Sequence, residues 1–296
     1  MTTNLWPVLK FEEWQDTLAT LHMWTQVVGK IRLAQTQKVN HWWNVPLYVS
    51  ARGLTTSPIP YGERIFEVEF DFIAHKLLIK CSDGAATELV LRPQSVAAFY
   101  AEVMSALRGL DIEIKIWTMP VEVPNPIRFE EDTQHASYDA EYANRFWRAL
   151  VEIDKVLKEF RARFVGKCSP VHFFWGSFDM AVTRFSGKPA PERPGADLIT
   201  REAYSHEVIS HGFWPGNKDM QAAFYSYTTP EPAGLAQAHA RPSDTFYNQE
   251  MKEFFLLYEA VRKSSPELTL MDFLQSTYEA GANLAGWDRT ALEQKF

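Results

Sequence analysis

The sequence predicts an α+β fold: antiparallel sheet with helices on one face, built by internal duplication of an α-β-β-β-β-α unit. Three observations predict it. Residues 138–164 place Tyr142, Phe146, Leu150, Ile153, Leu157, Phe160 and Phe164 at helical spacing, with Arg145, Arg148, Glu152, Lys155, Glu159 and Arg163 on the outer side. Residues 64–73 alternate strictly, as a strand does. A word also occurs twice. His41-Trp42-Trp43 leads through an apolar stretch to Arg52 and a Ser57-Pro58-Ile59-Pro60 loop; His172-Phe173-Phe174 leads likewise to Arg184 and Lys188-Pro189-Ala190-Pro191. The division that follows is a first repeat over 1–120, a packed linker over 121–137 and a second repeat over 138–296, together forming one compact unit.

The elements follow in order. Trp14, Leu18, Leu21, Trp24, Val28 and Ile31 recur every three or four residues, so 11–35 is a helix. Each copy of the word is expected to open the first strand of its half. Residues 47–51 are a strand, interrupted by the Pro58/Pro60 loop. In 64–73, Phe66, Val68, Phe70 and Phe72 form an apolar face, and Glu67, Glu69 and Asp71 an acidic one. Asp83-Gly84 is the turn between strands 76–81 and 87–91. Pro93 opens a helix using Val96, Phe99, Val103 and Leu107, which Gly109 ends. Residues 112–117 read as a short strand, and the three prolines of 119–129 as a connection. After the second long helix, 171–174 and 178–185 are strands broken at Gly176. A proline-rich loop, 187–195, precedes strands at 204–213 and 222–227. Residues 254–261 suit either strand or helix. Ser265 as N-cap and Pro266 at the first helical position start a last helix with Leu270, Leu274, Tyr278 and Gly281.

Composition bounds the function. Apolar residues at 46% and charged residues at 23% are those of a soluble globular protein. Aromatic residues at 14% imply a thick core, and a ligand wall where they stand beside His or Arg. A net charge of −7 argues against nucleic acid or an anionic membrane as partner. No segment has the apolar length of a membrane span. Cys81 and Cys168 are far apart and lack CxxC partners, and the first ten residues lack a signal-peptide layout; a cytoplasmic location is expected.

Chemistry concentrates in few places. Asp71 precedes His75 by four residues, and Glu207 precedes His211 by four; in an extended strand such pairs share a face and can converge. Residues 172–184 gather His172, Trp175, Asp179, Thr183 and Arg184 around the Gly176-Ser177 break, where backbone N–H groups can meet an anion and Arg184 can anchor it. The competing reading is a buried Asp179–Arg184 pair that fixes the sheet. His206-Glu207 with Phe213-Trp214-Pro215-Gly216 is the second dense patch. The chain has no HExxH, GxSxG elbow, P-loop or GxGxxG, so no metal is assigned and the cofactor is left unknown. Cys168, near the second word, reads as inert.

The segments 171–179, 205–207 and 212–216, with Asn40-His41-Trp42-Trp43 and 55–62, resemble the bacterial domain-of-unknown-function family 5996. The similarity runs from about Trp14 to Trp287. It implies a bacterial cytosolic protein built as one unit and transfers no residue role.

The leading functional expectation is an enzyme acting on a small polar or anionic molecule, in a pocket on the open face of the sheet between the repeats. His206 with Glu207 is the acid–base candidate, and His172 and Asp179 are the further catalytic candidates. Arg184 is the anchor, Trp175 and Trp214 exclude water, and Arg52 and His41 contribute from the first repeat. The alternatives are a non-catalytic small-molecule-binding protein, or a structural or partner-binding protein with these residues in its core. Oligomeric state is left open. Because Asn44 and Tyr48 do not match Trp175, Gly176 and Asp179, function is expected to reside in the second copy.

Overall fold

Alternation and helical spacing resolve into two antiparallel six-stranded sheets and seven α-helices in the computed structural model, which describes residues 5–295. The first sheet holds β1 (Tyr48–Val49), β2 (Gly53–Thr55), β3 (Ile59–Tyr61), β4 (Arg64–Asp71), β5 (Lys76–Cys81) and β6 (Ala86–Val90). Its order is β1-β2-β4-β5-β6, with β3 also pairing β4. The second holds β7 (His172–Phe174), β8 (Asp179–Pro189), β9 (His206–Trp214), β10 (Ala223–Thr229), β11 (Phe246–Asn248) and β12 (Glu253–Leu257), in the order β11-β12-β10-β9-β8-β7. The helices are α1 (Phe11–Gln35), α2 (Val96–Gly109), α3 (Ala140–Ala162), α4 (Leu198–Ala203), α5 (Tyr258–Arg262), α6 (Pro266–Leu284) and α7 (Arg289–Leu292).

The patterns act as physics requires. Phe66, Val68 and Phe70 of β4 are buried. On its acidic face Glu69 accepts from Ser50 at 2.6 Å and pairs with Lys80 at 3.1 Å, while Thr55 donates to Glu67. The stripe of α3 is buried from Tyr142 to Phe160. Asp139 caps this helix by accepting from Tyr142 N at 3.0 Å. Asp139→Ala should therefore lower stability by about 1 kcal/mol, read as a shifted urea midpoint with unchanged m-value. One hydrophobic core runs from Trp6 to Trp287 and draws on both halves, including Phe129 of the 121–137 segment. Gln26 holds that segment, donating to Val121 O at 2.8 Å and accepting from Val121 N at 2.9 Å.

Several expectations are corrected. His41-Trp42-Trp43 opens no strand: residues Asn40–Trp42 form a 3-10 turn, with His41 and Trp42 at φ 57° and 59°. Phe173, paired with Met180 of β8 on one side, meets Leu47 on the other through two bonds of 2.9 Å that join the edges of the two sheets. The two words thus occupy non-equivalent positions and do not carry the duplication. What the halves share is element order, a long helix followed by an antiparallel sheet. The second helix begins at Val96 with Ser95, not Pro93, as its cap; Ser95 accepts from Ala98 N at 3.1 Å. Residues 112–117 bury Ile112 and Ile114 without joining a sheet. Residues 254–261 split between β12 and α5. Ser265 stands at the N-cap of α6 with no side-chain cap bond.

Candidate functional site

The second sheet sorts its residues by the two-residue period of a strand. Along β8, Met180, Val182 and Arg184 face α3 and α6, while Asp179, Ala181, Thr183 and Phe185 face the other way. Strand register carries that open face across Val208 and Ser210 of β9 to Tyr225 and Tyr227 of β10. The 3-10 turn of the first half, with His41 and Trp43, and the end of α4, with Ala203 and Tyr204, lie over it. Between them is a cleft of about 180 Å³. A second depression of about 310 Å³ adjoins it, sharing Tyr204 and Tyr227 and adding Arg193, Lys252 and Glu253.

Asp179 is the buried carboxyl of this cleft. Ser177 donates to one of its oxygens and Tyr225 to the other. The Tyr225 ring reaches Asp179 by lying across Gly212, where a Cβ would meet the phenol at 2.3 Å and Met180 O at 2.5 Å. Among the described residues no Lys or Arg forms an ion pair with Asp179. Burial pushes its carboxyl above the usual aspartate range, against the two hydroxyl bonds that favour ionisation. Burial, and then repulsion from Asp179, raises Glu253 to about 7. Glu122 is raised by burial and then by Asp179 as well. Tyr204 donates to the Tyr227 hydroxyl at 3.1 Å, and Thr183 and Ser210 share a bond of 2.9 Å.

The other end is basic. His41 stands 2.9 Å from Glu202 O through Nδ1 and 2.6 Å from the Lys167 Nζ through Nε2. A carbonyl only accepts and an ammonium only donates, so these partners fix a neutral ring with the proton on Nδ1. Burial, then Lys167, lowers its pKa accordingly. Lys167 itself is lowered by burial and packs 4.8 Å from the centre of the Phe185 ring and 5.5 Å from that of Trp43. Glu202 ties α4 to the turn, accepting from His41 N at 3.1 Å and pairing with Lys38 at 2.5 Å.

Only part of the expected constellation meets here. Asp179 and His41 line the cleft, and His206 lies on the same face, 6.2 Å from the His41 ring. Glu207, next to His206 in a strand, points to the opposite face and accepts from Ser186 at 2.8 Å, so the two form no acid–base pair. His172 is wholly buried among Trp43, Tyr48 and Phe174, with neither ring nitrogen hydrogen-bonded. Burial, and then Arg32, holds it down to about 3, a neutral side chain behind the cleft wall.

Arg184 lies on the helix side and makes no pair with Asp179. Its guanidinium sits 3.5 Å from the centre of the Phe160 ring and 4.3 Å from that of Tyr278, and donates to Phe160 O in the last turn of α3. Burial lowers it to about 10, which leaves it charged at neutral pH. Trp175 donates to Val45 O at 2.8 Å and packs on Gly29, where a Cβ would come within 2.3 Å of the indole. Trp214 ends β9 opposite Ala223, outside the cleft lining. Arg52 lies in the turn between β1 and β2 of the first sheet, paired with Asp71 at 2.6 Å.

The acid-to-histidine spacings do not converge either. Asp71 accepts from Ile73 and Ala74 N in a turn, and His75 meets Tyr138 at 2.9 Å. Glu207 and His211 are separated by about 13 Å of strand; His211 packs on Phe160 and meets Thr277 at 3.1 Å. Burial pushes the Cys168 thiol up to about 11, consistent with an inert side chain. Among the described residues no group of three or more His, Cys, Asp or Glu is placed to hold a metal ion.

Sequence patterning does not single out Tyr204, Tyr225, Tyr227, Gly212, Glu253 or Lys167. Tyr225 and Tyr227 carried a signal, two phenols on one face of a strand, while Lys167 and Tyr204 arrive from connecting segments.

No curated protein and no solved structure matches the chain. One family model does, over residues 6–294. The chain therefore belongs to the family of unknown function DUF5996.

Proposed function

We propose that the protein is an enzyme acting on a small polar or anionic molecule in the open-face cleft of the second sheet, with Asp179 carrying the transferred proton. The observation behind this reading is a buried carboxyl with no cationic partner among the described residues, set in a concave wall of phenols and hydroxyls. Convergent polar groups in an aromatic cleft, with a buried titratable group of raised pKa among them, are the usual marks of a binding or catalytic site. Thr183, Ser210, Tyr204 and Tyr227 offer hydrogen bonds along the floor and rim. Lys167 is outside the lining itself but touches His41, Trp43 and Phe185 of it; from there it would supply the positive charge for an anionic group, the role that Arg184 cannot fill from the other face.

A non-catalytic binding role draws on a different observation. Both Asp179 oxygens already accept from protein hydroxyls, so proton transfer requires Ser177 or Tyr225 to give way.

Ligand-observed NMR with a mixture of small carboxylic and phosphorylated metabolites tests the site. Binding to the wild type is expected to weaken at least about tenfold in Lys167→Met, the loss of one charge-assisted contact. Binding unchanged in Lys167→Met, Tyr227→Phe and Asp179→Asn alike would remove the cleft from consideration. Conversion of the bound compound separates enzyme from binder.

A further inference from the structure

The depression that adjoins the cleft is the larger of the two, about 310 Å³, and four charged side chains line it. Two of them answer each other. Lys252 Nζ stands 3.5 Å from one Glu231 oxygen, and Tyr247 donates to the other at 2.6 Å. Arg193 and Glu253 remain. Among the described residues neither forms an ion pair or a side-chain hydrogen bond, although they carry opposite charges and line the same hollow. Strand pairing fixes the place of Glu253. Ser226 lies opposite Phe254 on the helix side, so the next pair, Tyr227 and Glu253, turns to the open face. Burial first, and Asp179 second, raise Glu253 to about 7. The Arg193 guanidinium stands over the Tyr204 ring, 4.2 Å from its centre, which holds the charge at the rim.

We propose that the depression is a subsite for the head of a zwitterionic α-amino acid, its ammonium on Glu253 and its carboxylate on Arg193. The inference rests on the cleft reading above for the rest of the ligand, which extends past Tyr204 and Tyr227, shared by both hollows, toward Asp179. Two unpaired and opposite charges in one hollow match a ligand that brings one of each. A ligand with a single charge would leave one of them without a partner. The guanidinium fork suits a carboxylate, which it can bind through two parallel bonds. An ammonium beside Glu253 supplies the cation that this carboxyl lacks and keeps it ionised.

The test is saturation-transfer NMR on the full-length protein with the common L-amino acids and O-phospho-L-serine, followed by the N-acetyl and α-carboxamide derivatives of the tightest binder. Each derivative is expected to bind at least about tenfold more weakly than its parent, because it deletes one charge-assisted contact. Glu253→Gln should erase the penalty for N-acetylation, and Arg193→Gln the penalty for the carboxamide; these matched losses assign each charge to its partner. The derivative series on the wild type needs no variant, so it decides the question even where a substitution unfolds the protein. Binding of no amino acid, or of either derivative as tightly as the parent, overturns the proposal. If carboxylic or phosphorylated metabolites still bind in a Lys167-dependent way, that failure leaves the cleft reading standing. Amino acids held through Glu253 and Arg193 but indifferent to Asp179→Asn and Lys167→Met would uphold the subsite and remove the cleft.

Discussion

Arg184→Ala should destabilise the protein by about 3–5 kcal/mol while leaving unchanged the ligand binding proposed for the open-face cleft. The magnitude follows from three losses at a side chain that is 1% exposed. The guanidinium is stacked against Phe160 and Tyr278, so truncation opens a cavity between two large rings. It donates to Phe160 O, one of the carbonyls that the end of α3 would otherwise leave unpaired. Its positive charge also sits at the negative end of that helix, which together with the ring faces takes the place of a carboxylate partner. Chemical denaturation measures the loss. An Arg184→Ala protein of normal stability that no longer binds ligand would instead restore Arg184 as an anchor.

Asp179→Asn should act in the opposite sense, removing the proposed turnover while raising stability at neutral pH. If Asp179 carries the transferred proton, its loss should cost at least about 100-fold in rate. The stability effect follows from its titration. Burial raises the folded-state pKa of Asp179 above its unfolded value. The stability associated with the protonated form is therefore complete below about pH 3.9 and is lost as pH rises through the folded value. Asparagine does not ionise, and its amide can accept from Ser177 and donate to the Tyr225 oxygen. The variant should gain on the wild type as pH rises from about 4 to neutrality, each kcal/mol appearing as roughly 2 °C in Tm. A gain in stability at the expense of activity marks a group kept for function. The neighbouring Glu253, held near 7 partly by Asp179, should titrate lower in the variant.

Much of the fold is legible in the sequence because local periodicity determines it. The helical spacing around Trp14 and Trp24 yields α1 over Phe11–Gln35, and the alternation after Arg64 yields β4. The two histidine words mislead because a shared composition does not ensure a shared conformation: one is a left-handed turn, the other a strand. Within the candidate site the decisive rule is parity. Asp179 and Arg184 are five residues apart and His206 and Glu207 are adjacent, so each pair divides between opposite faces of a strand. That division follows from the strand assignment alone. The side chains brought to the cleft by the 3-10 turn and by α4, with Lys167 packed beside them, do not, because their meeting depends on how the two sheets join at Leu47 and Phe173.

The most direct test is the titration of the Asp179 carboxyl carbon by ¹³C NMR, assigned by its disappearance in Asp179→Asn. A midpoint above the ordinary aspartate range is expected, moving when ligand enters the cleft. A midpoint at or below that range would mean a carboxylate fully satisfied by its hydroxyl partners, and would contradict its role as the proton-carrying group.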